Sequence, residues 1–149
     1  MNIKDIIKKE NILLNINANS KLDAFNALAE SLEKTGIVTN KELFIKEVLN
    51  REEEGGTGIG FGIAIPHGKS KYVTEASVAV GKITGNILYE SIDDEPIYIM
   101  FMIAVPMQNN DEHLKILSML SRKFMDKDFR NTLKKANSKD EIMRALELV

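Results

Sequence analysis

The sequence has no cysteine, only two histidines, no excess of charge of either sign and no long apolar run. Each shortage closes a class of function. Without cysteine, disulfides, thiolate nucleophiles, thiol redox chemistry and the common cysteine-based zinc sites are excluded. Lysine and arginine number 20 against 22 acidic residues, a formal net charge of -2, so no overall field draws the chain to nucleic acid or to an anionic membrane. Any basic site must be local. The opening MNIKDIIKKENILLNI mixes charged and apolar residues every few positions and lacks the unbroken core of a signal peptide. No later segment approaches the roughly 20 apolar residues of a membrane span. The expectation is a soluble, cytoplasmic protein with no direct membrane insertion.

What is present is enough for one buried core. With 149 residues and 44% hydrophobic content, residues 1–149 are expected to form a single domain. Asn11 to Ile16 (NILLNI) reads as a strand, and Asn19-Ser20 then supplies a helix cap. Leu22, Phe25, Leu28, Ala29 and Leu32 follow at helical spacing, and Gly36 sits where a left-handed stop belongs. Thr39 or Asn40 caps a second helix with Leu43, Phe44, Val48 and Leu49 on its inner face and Arg51 at or just past its end. Gly58 to Ile65 and Ala76 to Ile83 read as strands, and Pro96 to Val105 (PIYIMFMIAV) as a strand buried on both faces. Three helical stretches follow: one carrying Leu114, Leu117, Leu120 and Phe124, then Lys127 to Lys135, then Ser138 to Leu148, whose Ser138 and Glu141 form a capping-box pattern. No repeat, low-complexity segment or linker interrupts this order. The fold class is α/β (α+β), a mixed central sheet covered by helices.

The chemistry concentrates in TGIGFGIAIPHG, Thr57 to Gly68. A dinucleotide fingerprint needs its glycines between a strand and the start of a helix, where the helix N-terminus holds the pyrophosphate. Here Gly58, Gly60 and Gly62 run into Ile63-Ala64-Ile65-Pro66, strand-like and ended by a helix breaker. No G-K-[ST] closes the run, so a P-loop fails as well. Alternating glycines are expected instead where another backbone packs close to a strand or hairpin.

Pro66-His67-Gly68 is more informative. Pro66 fixes its own φ and biases Ile65 to extended geometry, and Gly68 removes a side chain that would shield the imidazole. His67 is thus expected to stand rigidly at the end of the sheet, open to a large partner. The second histidine, His113, falls in the first turn of its helix if Asn110 is the cap, where the dipole disfavours imidazolium and favours anions. Arg51 offers a planar guanidinium that fits phosphoryl oxygens, although an arginine paired with its neighbouring glutamates explains it equally. His113 taken alone is an ordinary helical histidine. A two-histidine metal site lacks a second nearby ligand at i, i+4 spacing, so no metal is expected.

Arg51 to Gly68, REEEGGTGIGFGIAIPHG, resembles the active-histidine signature of the enzyme IIA domains of the fructose and mannitol branch of the bacterial phosphoenolpyruvate-dependent sugar phosphotransferase system. The matching elements are Glu52, Ile59-Gly60 and Ile63-Ala64-Ile65-Pro66-His67-Gly68. The resemblance implies a mixed β-sheet with helices on both faces. It implies that His67 accepts a phosphoryl group from the phosphocarrier HPr and passes it to a cysteine of an enzyme IIB domain. In that scheme His113 assists without being phosphorylated, Arg51 steadies the phosphoryl group, and the chain meets the membrane complex only through IIB and IIC. Gly56-Thr57 stands where many relatives have Ser-Thr, so one hydroxyl is missing and Thr57 keeps the other.

Such chemistry needs no metal or organic cofactor. A neutral imidazole, with an unperturbed pKa of about 6.5, can attack phosphorus directly, and in-line positioning with charge neutralisation does the rest. Around His67 an apolar, small-residue rim is expected from Ile59, Phe61, Ile63 and Gly68, with Phe61 as docking anchor. Three functions fit this reading: a sugar-transport phosphocarrier, a nitrogen-branch regulator switched by the phosphorylation of His67, and a non-transferring module like the cytoplasmic domains of some anion transporters.

Overall fold

A computed structural model gives the fold; it describes residues 3–85, 87–108 and 111–147, and the side chains of Glu112 and His113 also fall outside the description. After two short 3-10 turns, Ile3–Asp5 and Lys9–Asn11, the order is β1 (Ile12–Ile16), α1 (Lys21–Lys34), α2 (Lys41–Glu53), β2 (Gly58–Gly60), β3 (Ile63–Ala64), β4 (His67–Ser70), β5 (Ser77–Ile83), β6 (Ile99–Pro106), α3 (Glu112–Phe124), α4 (Lys127–Lys135) and α5 (Lys139–Leu146). One mixed sheet runs β1-β5-β6-β3-β2, with β4 also paired to β6. Pairings β1/β5, β3/β6 and β4/β6 are parallel, and β5/β6 and β2/β3 are antiparallel.

Strand β6 is buried along its whole length, because alternate residues serve two cores. Met100, Met102 and Ala104 join the cluster under α1 and α2, while Ile99, Phe101, Ile103 and Val105 join the one under α3, α4 and α5. Helices on both faces therefore follow from a strand that is apolar at every position. The helix starts behave as their capping residues dictate. Ser20 accepts from the Asp23 N–H, Asn40 from the Leu43 N–H and Ser138 from the Glu141 N–H, and Gly36 takes φ +80 just beyond α1.

The apolar stripes are narrower than their spacing suggests. Leu22, Leu43 and Leu114 are exposed, and Leu49 is half-buried. Ile45 and Ile116 are buried instead. Leucines at the margins of a helical stripe face water where no neighbouring element reaches over them.

The larger correction concerns Gly58 to Ile65, which is not one strand. The chain reverses at Phe61-Gly62, where Phe61 has φ +59 and Gly62 φ +77, so β2 and β3 form a tight hairpin. It then continues through Pro66 into β4, and His67 opens a strand rather than following one. Registers make the geometry plain: Ile63 lies opposite Ile99, Ala64 opposite Met100, His67 opposite Ile103 and Gly68 opposite Ala104. The offset is the same on both sides of the break at Ile65-Pro66. Proline cannot donate to the ladder, yet its carbonyl still accepts from the Ile103 N–H at 2.9 Å, so β4 resumes in step.

The glycines earn their places by space and by turn geometry. A Cβ on Gly58 would stand 2.5 Å from the Glu90 carbonyl oxygen, and one on Gly62 2.5 Å from the Tyr98 ring. The close neighbours expected against these glycines are thus the backbone at Glu90 and Ser91 and, at Gly62, the Tyr98 ring with the Pro96 carbonyl.

Candidate functional site

His67 sits where β4 begins, half-buried, at the edge of the sheet that β4 forms beside β6. Its Nδ1 is 3.0 Å from the Ile65 carbonyl oxygen. A carbonyl can only accept, so in the neutral ring Nδ1 carries the proton and Nε2 keeps the lone pair. Pro66, which biases Ile65 to extended geometry, lies between the two groups.

Beside the imidazole is a cavity of about 330 Å³ walled by Glu47, Asn50, Arg51, Glu54, His67, Gly68, Lys69 and Val105. Arg51, in the last turn of α2, reaches this cavity and donates from Nη1 to the Gly55 carbonyl at 2.9 Å. The fold thus brings together two of the residues singled out in sequence, His67 and Arg51, which the chain separates by a helix end and a hairpin.

Gly68 is buried and contributes differently from the open approach expected of it. A Cβ there would meet Val48 Cγ2 at 2.9 Å and the Phe44 ring at 3.2 Å. Its missing side chain lets α2 lie directly on β4, and that closeness carries Arg51 to the histidine. The backbone of His113 lies in the first turn of α3, preceded by Asp111 at the cap position. Asn110 and the His113 side chain lie outside the described residues.

Thr57 is 4% exposed and faces inward. Its hydroxyl donates to Glu52 Oε1, the Tyr89 hydroxyl donates to the same oxygen at 2.9 Å, and the two hydroxyl oxygens are 2.7 Å apart. The Thr57 N–H reaches Glu52 Oε2 at 3.4 Å, and Lys21 Nζ lies 3.6 Å from that oxygen and 4.6 Å above the Tyr89 ring. Burial, and then the nearby Glu52 charge, push the Tyr89 phenol far above its ordinary pKa. This network ties the last turn of α2 to β2 and to the segment around Tyr89. Sequence reasoning passed over Glu52 except as part of a pattern, although a glutamate in a helix's final turn next to a site arginine was the available signal.

The expected rim does not form. Ile63 is fully buried, and Ile59 packs half-buried against the second core. Ile63 and His67 are four registers apart on β6, about 13 Å at strand rise, and Phe61 lies beyond Ile63 at the hairpin turn. There Phe61 stacks under Arg130, with the guanidinium 3.8 Å from its ring centre, and its N–H donates to Asp93. The Phe61 N–H first, and that of Glu95 next, hold the Asp93 carboxyl below the usual range. Gly56 is also explained: a Cβ there would stand 2.8 Å from the Glu90 carbonyl oxygen, so a serine would displace that segment. No described helix is long and apolar enough to cross a membrane.

A model of the family described as phosphoenolpyruvate-dependent sugar phosphotransferase system, EIIA 2, matches residues 5–148. A fructose-specific EIIA component of the same system from Haloferax volcanii is 37% identical over 127 residues, 85% of this chain and 82% of that protein. A fructose-specific EIIABC component from Bacillus subtilis is 36% identical over 143 residues, 96% of this chain, and this chain spans only 22% of its length. Among solved structures, the nitrogen regulatory protein IIA-Ntr from Neisseria meningitidis is 30% identical with a TM-score of 0.88, covering 97% of this chain and 98% of that one. The complex of mannitol enzyme IIA with phosphorylated enzyme IIB from Escherichia coli is 25% identical with a TM-score of 0.80, covering 97% of this chain and 100% of that one.

Proposed function

From a chain that belongs to the EIIA 2 family of the phosphoenolpyruvate-dependent sugar phosphotransferase system, we propose a single-domain cytoplasmic phosphocarrier that works through His67 Nε2. The carrying observation is the Nδ1–Ile65 hydrogen bond, which leaves Nε2 as the ring's one basic nitrogen. Its lone pair attacks the phosphorus of phosphohistidine on HPr, the donor's P–N bond breaks, and the donor imidazole leaves with that electron pair. The new P–N bond is of the same kind, so the group stays transferable to a cysteine of enzyme IIB. That step breaks the His67 P–N bond and forms a P–S bond, and the chain reaches the membrane components only through IIB. A loose phosphoryl transition state asks mainly for alignment and neutralised equatorial oxygens, which Arg51 supplies from α2. His113, in the first turn of α3, assists without being phosphorylated.

Purified protein incubated with phosphoenolpyruvate, enzyme I and HPr should gain one acid-labile phosphate. His67→Ala should take none, and His113→Ala should take it more slowly. Label on the His67→Ala protein would end this reading. The likeness to a nitrogen regulatory protein supports a second reading, in which the same phosphorylation switches binding to a regulated protein. Transfer of label from the phosphorylated protein to an IIB cysteine favours transport, and its failure with capture of a regulator favours the switch.

A further inference from the structure

The cavity beside His67 contains a second cation that the phosphocarrier scheme does not use. Lys69 is two residues along β4, and the alternation of that strand, half-buried at His67 and Lys69 and buried at Gly68 and Ser70, sets both side chains on one face. Same-face neighbours on a strand are about 6.6 Å apart. A lysine ammonium on its flexible stem covers that gap easily. Lys69 and His67 also wall the same cavity as Arg51.

The charges there suit such a role. Arg51 and Lys69 line the cavity together with Glu47 and Glu54, so these four side chains balance formally before any phosphoryl group arrives. A phosphoryl group adds close to two negative charges. Without Lys69 the lining would hold one guanidinium against two carboxylates, so its ammonium removes the net negative charge that would otherwise repel the incoming group.

We infer that Lys69 is a catalytic residue that binds the phosphoryl group on His67, its ammonium contacting an equatorial oxygen from β4 while Arg51 contacts the group from α2. The inference rests on the phosphocarrier reading above. It differs from a role in partner docking, because an ammonium that touches the phosphoryl group acts only when that group is present.

The test uses Lys69→Met, Lys69→Gln and Lys69→Arg, with circular dichroism melts to verify folding. Phospho-HPr is the donor, and the measurements are the rate of His67 labelling, the position of the exchange equilibrium with HPr, and the affinity for unphosphorylated HPr. Lys69→Met and Lys69→Gln should slow labelling at least about tenfold, as for loss of a charge-assisted hydrogen bond, and shift the equilibrium towards phospho-HPr. Lys69→Arg should stay within about threefold of the parent, since it keeps the charge. Affinity for unphosphorylated HPr should hold. Labelling of Lys69→Met at the parent rate overturns the inference, as does a loss of HPr affinity by the same factor as the rate. Label on His67→Ala would instead overturn the phosphocarrier reading beneath it.

Discussion

Removing the Glu52 carboxyl tests whether the buried network sets the position of Arg51. Glu52 is 9% exposed and accepts from the Thr57 hydroxyl, the Thr57 N–H and the Tyr89 hydroxyl, with Lys21 Nζ close by. Glu52→Ala removes the acceptor these donors share in a place water reaches poorly, although the two hydroxyls, 2.7 Å apart, can still bond each other. A hydroxyl and the Thr57 N–H are then left without acceptors at about 1–3 kcal/mol each, about 3–5 kcal/mol together. For a chain of this length each kcal/mol lowers Tm by about 2–4 °C, so the melt should fall by about 6–20 °C. Tyr89→Phe leaves Glu52 its other partners and should cost only about 1–2 kcal/mol. Lys21→Met should cost less than about 1 kcal/mol, because the Lys21 side chain keeps 30% of its exposure and water screens the pair. In urea titrations, Glu52→Ala and Tyr89→Phe should be non-additive by about 1–3 kcal/mol. His67 labelling by phospho-HPr should slow in Glu52→Ala even below its melting range, because the last turn of α2 carries Arg51. A stability loss under about 1 kcal/mol, or strict additivity with Tyr89→Phe, would refute the reasoning.

Other consequences are simpler to state. Gly56→Ser should destabilise the protein by about 1–3 kcal/mol in urea titration, as overpacking does, because its Cβ would press on the Glu90 backbone. Phe61→Ala should leave the rate of His67 labelling unchanged while costing about 1 kcal/mol through its lost stacking with Arg130. Asp93 has a folded pKa below its ordinary value of 3.8, so its stabilisation is present above that value and is lost as pH falls through the folded one. Asp93→Asn should therefore flatten the acid side of the stability profile below about pH 4, read from melts across that range.

Legibility in sequence followed the kind of physics involved. The helix starts at Ser20, Asn40 and Ser138 were readable because a cap is a local bargain between one side chain and the next turn. The central strand was readable because PIYIMFMIAV is apolar at every position. By contrast the reversal at Phe61 was hidden, since a phenylalanine with positive φ is rare and the groups that meet it there, Asp93 and Arg130, are distant in sequence. Thr57 as a buried hydroxyl was hidden for a similar reason: its partners come from α2 and from the segment around Tyr89. His67 stood out as the candidate through Pro66 and Gly68, but the packing role of Gly68 was not legible, because it depends on Val48 and Phe44 lying across from it.

The common register of β3 and β4 on β6 leaves His67 little tolerance to changes in chain length. Most reactive side chains ride on loops, where an added residue lengthens a curve and little else. Here the stretch between Ala64 and His67 is a gauge cut to two residues, and the ladder on either side fixes both ends. One residue more or fewer would send the imidazole through the sheet, towards Val48 and Phe44, while a glycine came round to face the cavity. Lineages descended from this chain can therefore vary the approach to β6 far more freely than they can change the length of that short span.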